Sequence, residues 1–165
     1  MPTFKHREAF EAIVADLLAD PAVLSMADLP QHSKTCNCLD HSRYVAYLSF
    51  LVCRRLKLDF VAAARAGLLH DFYLKNWDEE DIGIQRLWKH PHYALENASA
   101  RYALSAKEKD IIVKHMWPLT RPLPRYRESF VVSMVDKFCA ILEMTRLYSA
   151  LKVQKKLCAA TVGAA

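Results

Sequence analysis

Residues 60–71, FVAAARAGLLHD, join an apolar helical segment to a histidine and an aspartate that stand side by side. Alanine and leucine favour a helix here, and one arginine is the only charge before the final aspartate. Burying an unpaired carboxylate is costly, so Asp71 at the end of an apolar helix needs a partner. A salt bridge, a helix end and a metal ion are the three candidates.

Helical patterns extend outward from this segment over most of the 165 residues. The spacing of apolar residues predicts a single all-α domain over residues 1–165, with six or seven helices and no strand pattern. Asp59 is the expected N-cap of the helix that leads to the doublet, Ser105 and Glu108 fit a capping box, and Pro91 suits a first turn. The predicted helices cover residues 2–20, 40–56, 60–73, 90–102, 106–116 and 129–152. Residues 20–40 are predicted as a loop that can include a short helix, and residues 76–89, NWDEEDIGIQRLWK, as a loop and a short helix.

Composition excludes several classes of protein. Only three glycines occur. The chain contains neither of the two glycine patterns of phosphate-binding loops, G-x-x-x-x-G-K-S/T and G-x-G-x-x-G. No apolar segment is long enough to span a membrane, and the amino terminus does not resemble a secretory signal, so we expect a cytoplasmic protein. The net charge of +5 suits an anionic small ligand, whereas a nucleic-acid-binding protein usually carries a denser basic face. Cys36 and Cys38 have no second cysteine pair to complete a zinc site.

A group of histidines and aspartates indicates the chemistry. It comprises five of the seven histidines, His41, His70, His90, His92 and His115, together with Asp71 and Asp136. Each histidine lies near a predicted helix end or on an apolar-flanked helix, and Asp136 lies inside the apolar segment FVVSMVDKFCAIL, where it has nothing to cap. One such residue alone is usually a hydrogen-bonded or ion-paired core group. Together they match the ligands of a divalent-metal site with nitrogen and oxygen donors, and a cation would offset the cost of burying both carboxylates.

The order of these residues resembles the HD-domain superfamily of metal-dependent phosphohydrolases. That family has an early histidine, a His-Asp doublet, further histidines and a late helical aspartate. The matching segments, within about residues 38–145, are LDHSRYVA with His41, GLLHDF with His70 and Asp71, KHPHYALENA with His90, IIVKHMWP with His115 and VVSMVDKF with Asp136.

The resemblance implies that four residues hold one metal ion, namely His41, His70, Asp71 and Asp136. Members with two ions use the doublet aspartate as a bridge, and His90 and His115 match their additional ligands. Some two-metal members have consecutive histidines where this chain has His115 followed by Met116, whose thioether is a poor ligand for hard ions. The expected cofactor is therefore one or two divalent ions, with Mn, Fe, Mg, Zn, Co and Ni as candidates.

The resemblance also implies hydrolysis of a phosphate ester or anhydride of a small molecule, with a nucleotide as the expected class. His70 and Asp71 are the expected catalytic residues, since Asp71 can accept a proton from a metal-activated water. Phosphate needs cationic or hydrogen-bonding groups, for which the candidates are Lys75, His92, Arg121, Arg125 and Lys137. A non-catalytic sensor that binds metal and nucleotide is the alternative, and a helical nucleic-acid-binding module is a third class.

Overall fold

The computed structural model describes residues 6–33, 36–74 and 84–145. Within these ranges the chain forms an all-α domain, which confirms the predicted fold class. The seven α-helices are Arg7–Leu18 (α1), Pro21–Leu24 (α2), Cys38–Arg55 (α3), Phe60–Leu69 (α4), Ile84–Arg101 (α5), Ala106–Lys114 (α6) and Arg127–Met144 (α7). A 3-10 turn, Ser25–Asp28, and a short antiparallel ribbon of Pro30–Ser33 (β1) and Cys36–Asn37 (β2) connect α2 to α3.

Helix α4 lies at the centre of the domain because it is apolar on nearly every side. Seven of its ten residues are buried, and it packs against α1, α3, α6 and α7. A helix without a polar face is stable only when other elements enclose it. Gly67 permits the closest of these contacts, since a Cβ atom there would lie 3.0 Å from the Ala46 Cα in α3.

Four of the described helices begin at side-chain caps, two of which the sequence predicts, and Asp20 provides the cap of α2. The Asp59 carboxylate accepts a hydrogen bond from the Ala62 amide at the start of α4. Ser105 and Glu108 form both bonds of the capping box of α6. Asn37, which the sequence did not single out, caps α3 by accepting from the Asp40 amide. Helix α3 therefore begins at Cys38, slightly earlier than predicted.

Two predicted helix limits are wrong. Helix α4 ends at Leu69 rather than near Tyr73, because the chain turns at Asp71 and the Tyr73 amide bonds to the Asp71 carbonyl. Helix α5 covers Ile84–Arg101, so Pro91 lies inside it rather than in its first turn. Proline removes only one backbone donor, and the helix continues past it with Ala94 and Ala98 buried in the core.

The β1–β2 ribbon is also absent from the prediction, because strands of four and two residues are too short to show an alternating pattern. Other predictions lie outside the described residues. These are the start of the first helix before residue 6, the segment 75–83, and the extension of the last helix to residue 152.

Helices α3 and α7 run antiparallel, since His41 near the start of α3 contacts Glu143 near the end of α7. Their buried faces join the core around Phe50, Leu68 and Ile111, each with no exposed surface. In the described part of the chain, every helix is too short or too polar to cross a bilayer.

Candidate metal centre

Six buried side chains from five segments of the chain converge at one place in the domain. One lies near the start of α3, two follow α4, one is in α5, one follows α6 and one is in α7. Their nitrogen and oxygen atoms form three overlapping groups, each within 4.8 Å, namely His41–His70–Asp71, His70–His115–Asp136 and Asp71–His90–His115. All six residues that the sequence predicts as metal ligands are therefore brought together.

The ends of α4 and α6 orient two of the imidazoles in the same way. His70 and His115 each occupy the C-cap position, and each Nδ1 donates to the carbonyl three residues earlier, at Gly67 and at Ile112, over 2.8 Å. A carbonyl only accepts, so Nδ1 carries the proton. In the neutral ring Nε2 then presents a lone pair, which is the form that binds metal ions.

Some atoms at the centre of the site have no hydrogen-bond partner among the described residues. They include His70 Nε2 and Asp71 Oδ1, both of which are buried. His70 Nε2 lies 3.4 Å from Asp71 Oδ2 and 3.5 Å from Asp136 Oδ1. A histidine nitrogen and carboxylate oxygens that face one another in a protein interior are costly unless a proton or a cation lies between them.

The two carboxylate oxygens of Asp71 face different histidines. Oδ2 faces His70, whereas Oδ1 lies 3.4 Å from His90 Nε2 and 3.5 Å from His115 Nε2. The two Nε2 atoms of His90 and His115 are 2.9 Å apart. Ligands about 2.1 Å from a common ion lie roughly 3.0–3.5 Å from each other, so these separations suit a shared cation. The arrangement is that of a carboxylate able to bridge two ions.

The carboxylates set the electrostatics of the centre. Burial alone would raise the pKa of Asp136, but the imidazoles of His41 and His70 lower it well below its ordinary value. Asp71 also has a lowered pKa, because His70, His90 and His115 outweigh the effect of burial. Both carboxylates are thus ionised and require positive charge close by.

Protons on two histidines supply that charge when no cation is bound. Burial alone would lower the pKa of His41, but hydrogen bonds to Asp136 and Glu143 raise it to about 10. The pKa of His70 is raised as well, because Asp71 and Asp136 outweigh burial. A divalent ion can replace these protons. The pKa of His115, in contrast, is lowered to about 3 by burial and by the neighbouring histidines, so this ring is neutral.

Two residues that the sequence did not single out support the ligands. Glu143, which is 2% exposed, holds His41 Nδ1 at 2.9 Å, while His41 Nε2 faces Asp136 at 3.0 Å. Gln31 in β1 donates from Nε2 to Asp71 Oδ2 over 2.6 Å. Metal-binding histidines usually donate their second nitrogen to such a carboxylate. Glu143 follows Asp136 by two helical turns on the same face of α7, which is a detectable signal, whereas Gln31 has none.

The residues predicted to bind phosphate lie in different environments. The Lys137 ammonium donates to the His115 carbonyl over 2.6 Å and lies 3.5 Å from Asp136 Oδ2, and burial lowers its pKa despite Asp136. Lys137 therefore contacts the protein's own acceptors. His92, Arg121 and Arg125 are exposed on the surface. Lys75 lies outside the described residues.

Comparison of the chain with protein-family models, with curated proteins and with solved structures finds no match. The HD-domain resemblance therefore stays a prediction that depends on the order of the motifs. The structure itself shows a buried group of histidines and aspartates that could hold a metal ion.

Proposed function

We propose that this protein is a metal-dependent phosphohydrolase that acts on a small phosphorylated molecule, with nucleotides as the first class to test. The observation that carries the proposal is the convergence of His70 Nε2 and Asp71 Oδ1, two buried atoms without a hydrogen-bond partner among the described residues, inside a group of six potential ligands. A cation between these enclosed atoms would offset the free-energy cost of burying them without a hydrogen bond.

The ligand set favours certain metals. Four imidazoles and two carboxylates suit Mn, Fe, Co, Ni or Zn, whereas Mg prefers a shell of oxygen atoms. One ion would be held by His41, His70, Asp71 and Asp136. A second would share Asp71 and add His90 and His115. The proposal accommodates either number of ions.

The chemistry follows from the residues that face the centre. A bound divalent ion would lower the pKa of a water molecule toward about 7 and neutralise charge on a phosphate oxygen. Asp71 Oδ1, which is buried and has no hydrogen-bond partner in the described structure, would accept a proton from this water. Gln31 and the C-cap hydrogen bond of His70 orient the two members of the doublet.

The assignment of phosphate as the reacting group depends on the motif order, together with the positive net charge of the chain. The exposed side chains of Arg121 and Arg125 would contact the phosphate, and arginine matches phosphate geometry well. Lys75 and His92 stay candidates for the same role. Lys137 would act by holding Asp136 and the segment after α6 in position.

Elemental analysis of protein purified without a chelator, followed by hydrolysis assays on nucleotides and phosphate esters, tests the proposal. We expect one or two divalent ions per chain and metal-dependent release of phosphate. Asp71→Asn should abolish both, while the matched control Asp28→Asn, at an exposed carboxylate, should change neither. Protein that binds no ion at any supplied metal concentration would contradict the metal centre.

The sensor alternative is favoured by one observation, which is the enclosure of the ligands. His41, His70 and His115 are at most 1% exposed, and His90, the most exposed of the six, is 8% exposed. A sensor would bind metal and nucleotide without releasing phosphate. The same assays distinguish the two functions, because only the enzyme turns over.

A further inference from the structure

Helix α7 has two dissimilar faces. One face carries Asp136 and Glu143 into the metal centre. The opposite face is exposed, and beyond Arg127 each of its exposed side chains within the helix is apolar. These residues, here called the α7 outer face, are 45–60% exposed and comprise Phe130, Met134, Phe138, Ile141 and Met144.

The α7 outer face is large for a surface that meets only water. A fully enclosed phenylalanine buries about 150–250 Å², and methionine and isoleucine are somewhat smaller, so five such side chains that are about half exposed present on the order of 500 Å². Contiguous apolar patches of this size on soluble proteins usually mark interaction sites. By contrast, α1 and α5 expose charged residues such as Asp16 and Arg101 on their outer sides.

We propose that the α7 outer face is a self-association surface, on which α7 of a second copy packs antiparallel about a twofold axis. Such an interface contains the same patch twice. Two faces of this size bury about 1,000 Å² in total, which reaches the lower limit for a specific protein interface.

Charge favours the antiparallel orientation. Arg127, the exposed charge of α7, lies at the amino-terminal end of the helix, where the helix dipole is positive and disfavours a cation. In an antiparallel pair, Arg127 lies beside the carboxyl end of the other helix, where the dipole is negative. A parallel pair would bring the two arginines together.

Shape favours the same orientation. A groove of about 330 Å³ lies at the amino-terminal end of the outer face, lined by Leu56, Leu58, Arg127, Phe130 and Val131. The antiparallel pair brings the carboxyl end of the second helix, with its Met144, over this groove. Methionine is flexible enough to fill an irregular apolar groove.

The geometry identifies the residue nearest the twofold axis. The outer face extends over residues 130–144, about 21 Å of helix, with its midpoint next to residue 137. The exposed side chain closest to that midpoint is Phe138, which is 53% exposed. Each Phe138 should therefore contact the second copy's outer face near its own Phe138.

Sedimentation of the full chain over a concentration series tests the proposal. We expect the wild type to reach twice the mass of one chain, and Phe138→Glu or Ile141→Glu to weaken the dimer by at least about tenfold, because each would bury a charge. The matched control Leu24→Glu replaces a leucine of α2 that is 46% exposed and should dimerise like the wild type. A wild type that stays monomeric throughout, or a dimer insensitive to both α7 variants, overturns the proposal.

A photo-crosslinking amino acid at position 138 of the full chain provides a second readout that needs no destabilising charge. The expected products are crosslinks between chains, mapped by mass spectrometry to residues 130–144. Crosslinks within one chain to residues 146–165 would instead show that the chain covers its own helix, and would overturn the proposal. Neither outcome depends on the metal or on catalysis, so failure here leaves the proposed function untouched.

Discussion

At the scale of single residues, the position of a histidine at a helix end decides its chemistry. His70 and His115 both use Nδ1 to satisfy a carbonyl of the last helical turn, which leaves Nε2 directed at the carboxylates. Carbonyls at helix ends lack intrahelical partners, so the same hydrogen bond caps the helix and selects the tautomer. Both residues therefore contribute to the fold and to the proposed metal site.

Glu143 also acts at the scale of a single residue, because its carboxylate orients His41. We expect Glu143→Gln to lower metal affinity about 10–100-fold, because the amide keeps the shape but not the charge that orients His41. Isothermal titration calorimetry with a divalent ion measures the change. Glu96→Gln, at an exposed position of α5, is the matched control and should bind normally. Equal affinities for the two variants would assign Glu143 no part in metal binding.

At the scale of elements, the distance between α3 and α4 controls the site. His41 lies in α3 and His70 follows α4, and the two helices meet where Gly67 faces the Ala46 backbone. The Gly67 carbonyl also accepts the His70 hydrogen bond. A change at this glycine therefore affects packing and ligand orientation together.

We expect Gly67→Ala to lower the free energy of unfolding by about 1–3 kcal/mol, because the new methyl group would force the two helices apart. The variant should also bind metal more weakly than the wild type. Urea denaturation and metal titration are the measurements, and Ser99→Ala, at an exposed position of α5, serves as control. A variant as stable as the wild type would mean that α3 shifts without cost.

A buried carboxylate connects α6 to the segment before α7. Asp110 accepts hydrogen bonds from the Arg125 amide over 2.9 Å and the Ser129 hydroxyl over 2.7 Å, and Lys114 lies 2.5 Å away. Burial alone would raise the pKa of Asp110, but these three partners lower it below 3.8. The segment between α6 and α7, which contains Pro118, Pro122 and Pro124, is thus held to α6 by an ionised group.

This arrangement predicts a pH dependence of stability. A pKa that is lower in the folded state stabilises the protein above the unfolded value of 3.8, and the contribution is lost as pH falls through the folded value. We expect Asp110→Asn to cost about 1–3 kcal/mol at neutral pH, and the difference from wild type to shrink below pH 3.8. Thermal denaturation over a pH series measures it. A difference independent of pH would exclude the ionised carboxylate as its source.

At the scale of the whole molecule, five segments contribute ligands, so metal binding should stabilise the entire domain. A ligand present at 100 times its dissociation constant adds about 2.7 kcal/mol, which corresponds to roughly 5–11 °C in Tm for a chain of this size. We expect such a rise for the wild type with a suitable divalent ion, reversed by a chelator. Asp71→Asn should show no rise. An unchanged Tm with each of Mn, Co, Ni and Zn would count against the metal centre.

Features that depend on neighbouring residues could be predicted from the sequence. Helical periodicity predicted the all-α class, and local capping patterns identified the starts of α4 and α6, because a cap bonds within three residues. Asp71 and Asp136 were singled out because a charged group in an apolar helix is unusual wherever the helix packs, and the full set of six potential ligands was predicted from the resemblance in motif order. The limits of α4 and α5 were wrong, since packing rather than local preference decides where these helices end or continue.

Features that depend on how the helices are oriented could not be predicted in this way and are seen in the folded domain. Gln31 in a short ribbon and Glu143 near the end of α7 contact ligands 40 and 102 residues away, at Asp71 and His41. The orientation of α7 also decides that the Lys137 ammonium points inward and that the α7 outer face is exposed. The physical reason is that local forces form a helix, while the rotation of that helix about its axis is chosen by burial of apolar surface across the whole domain.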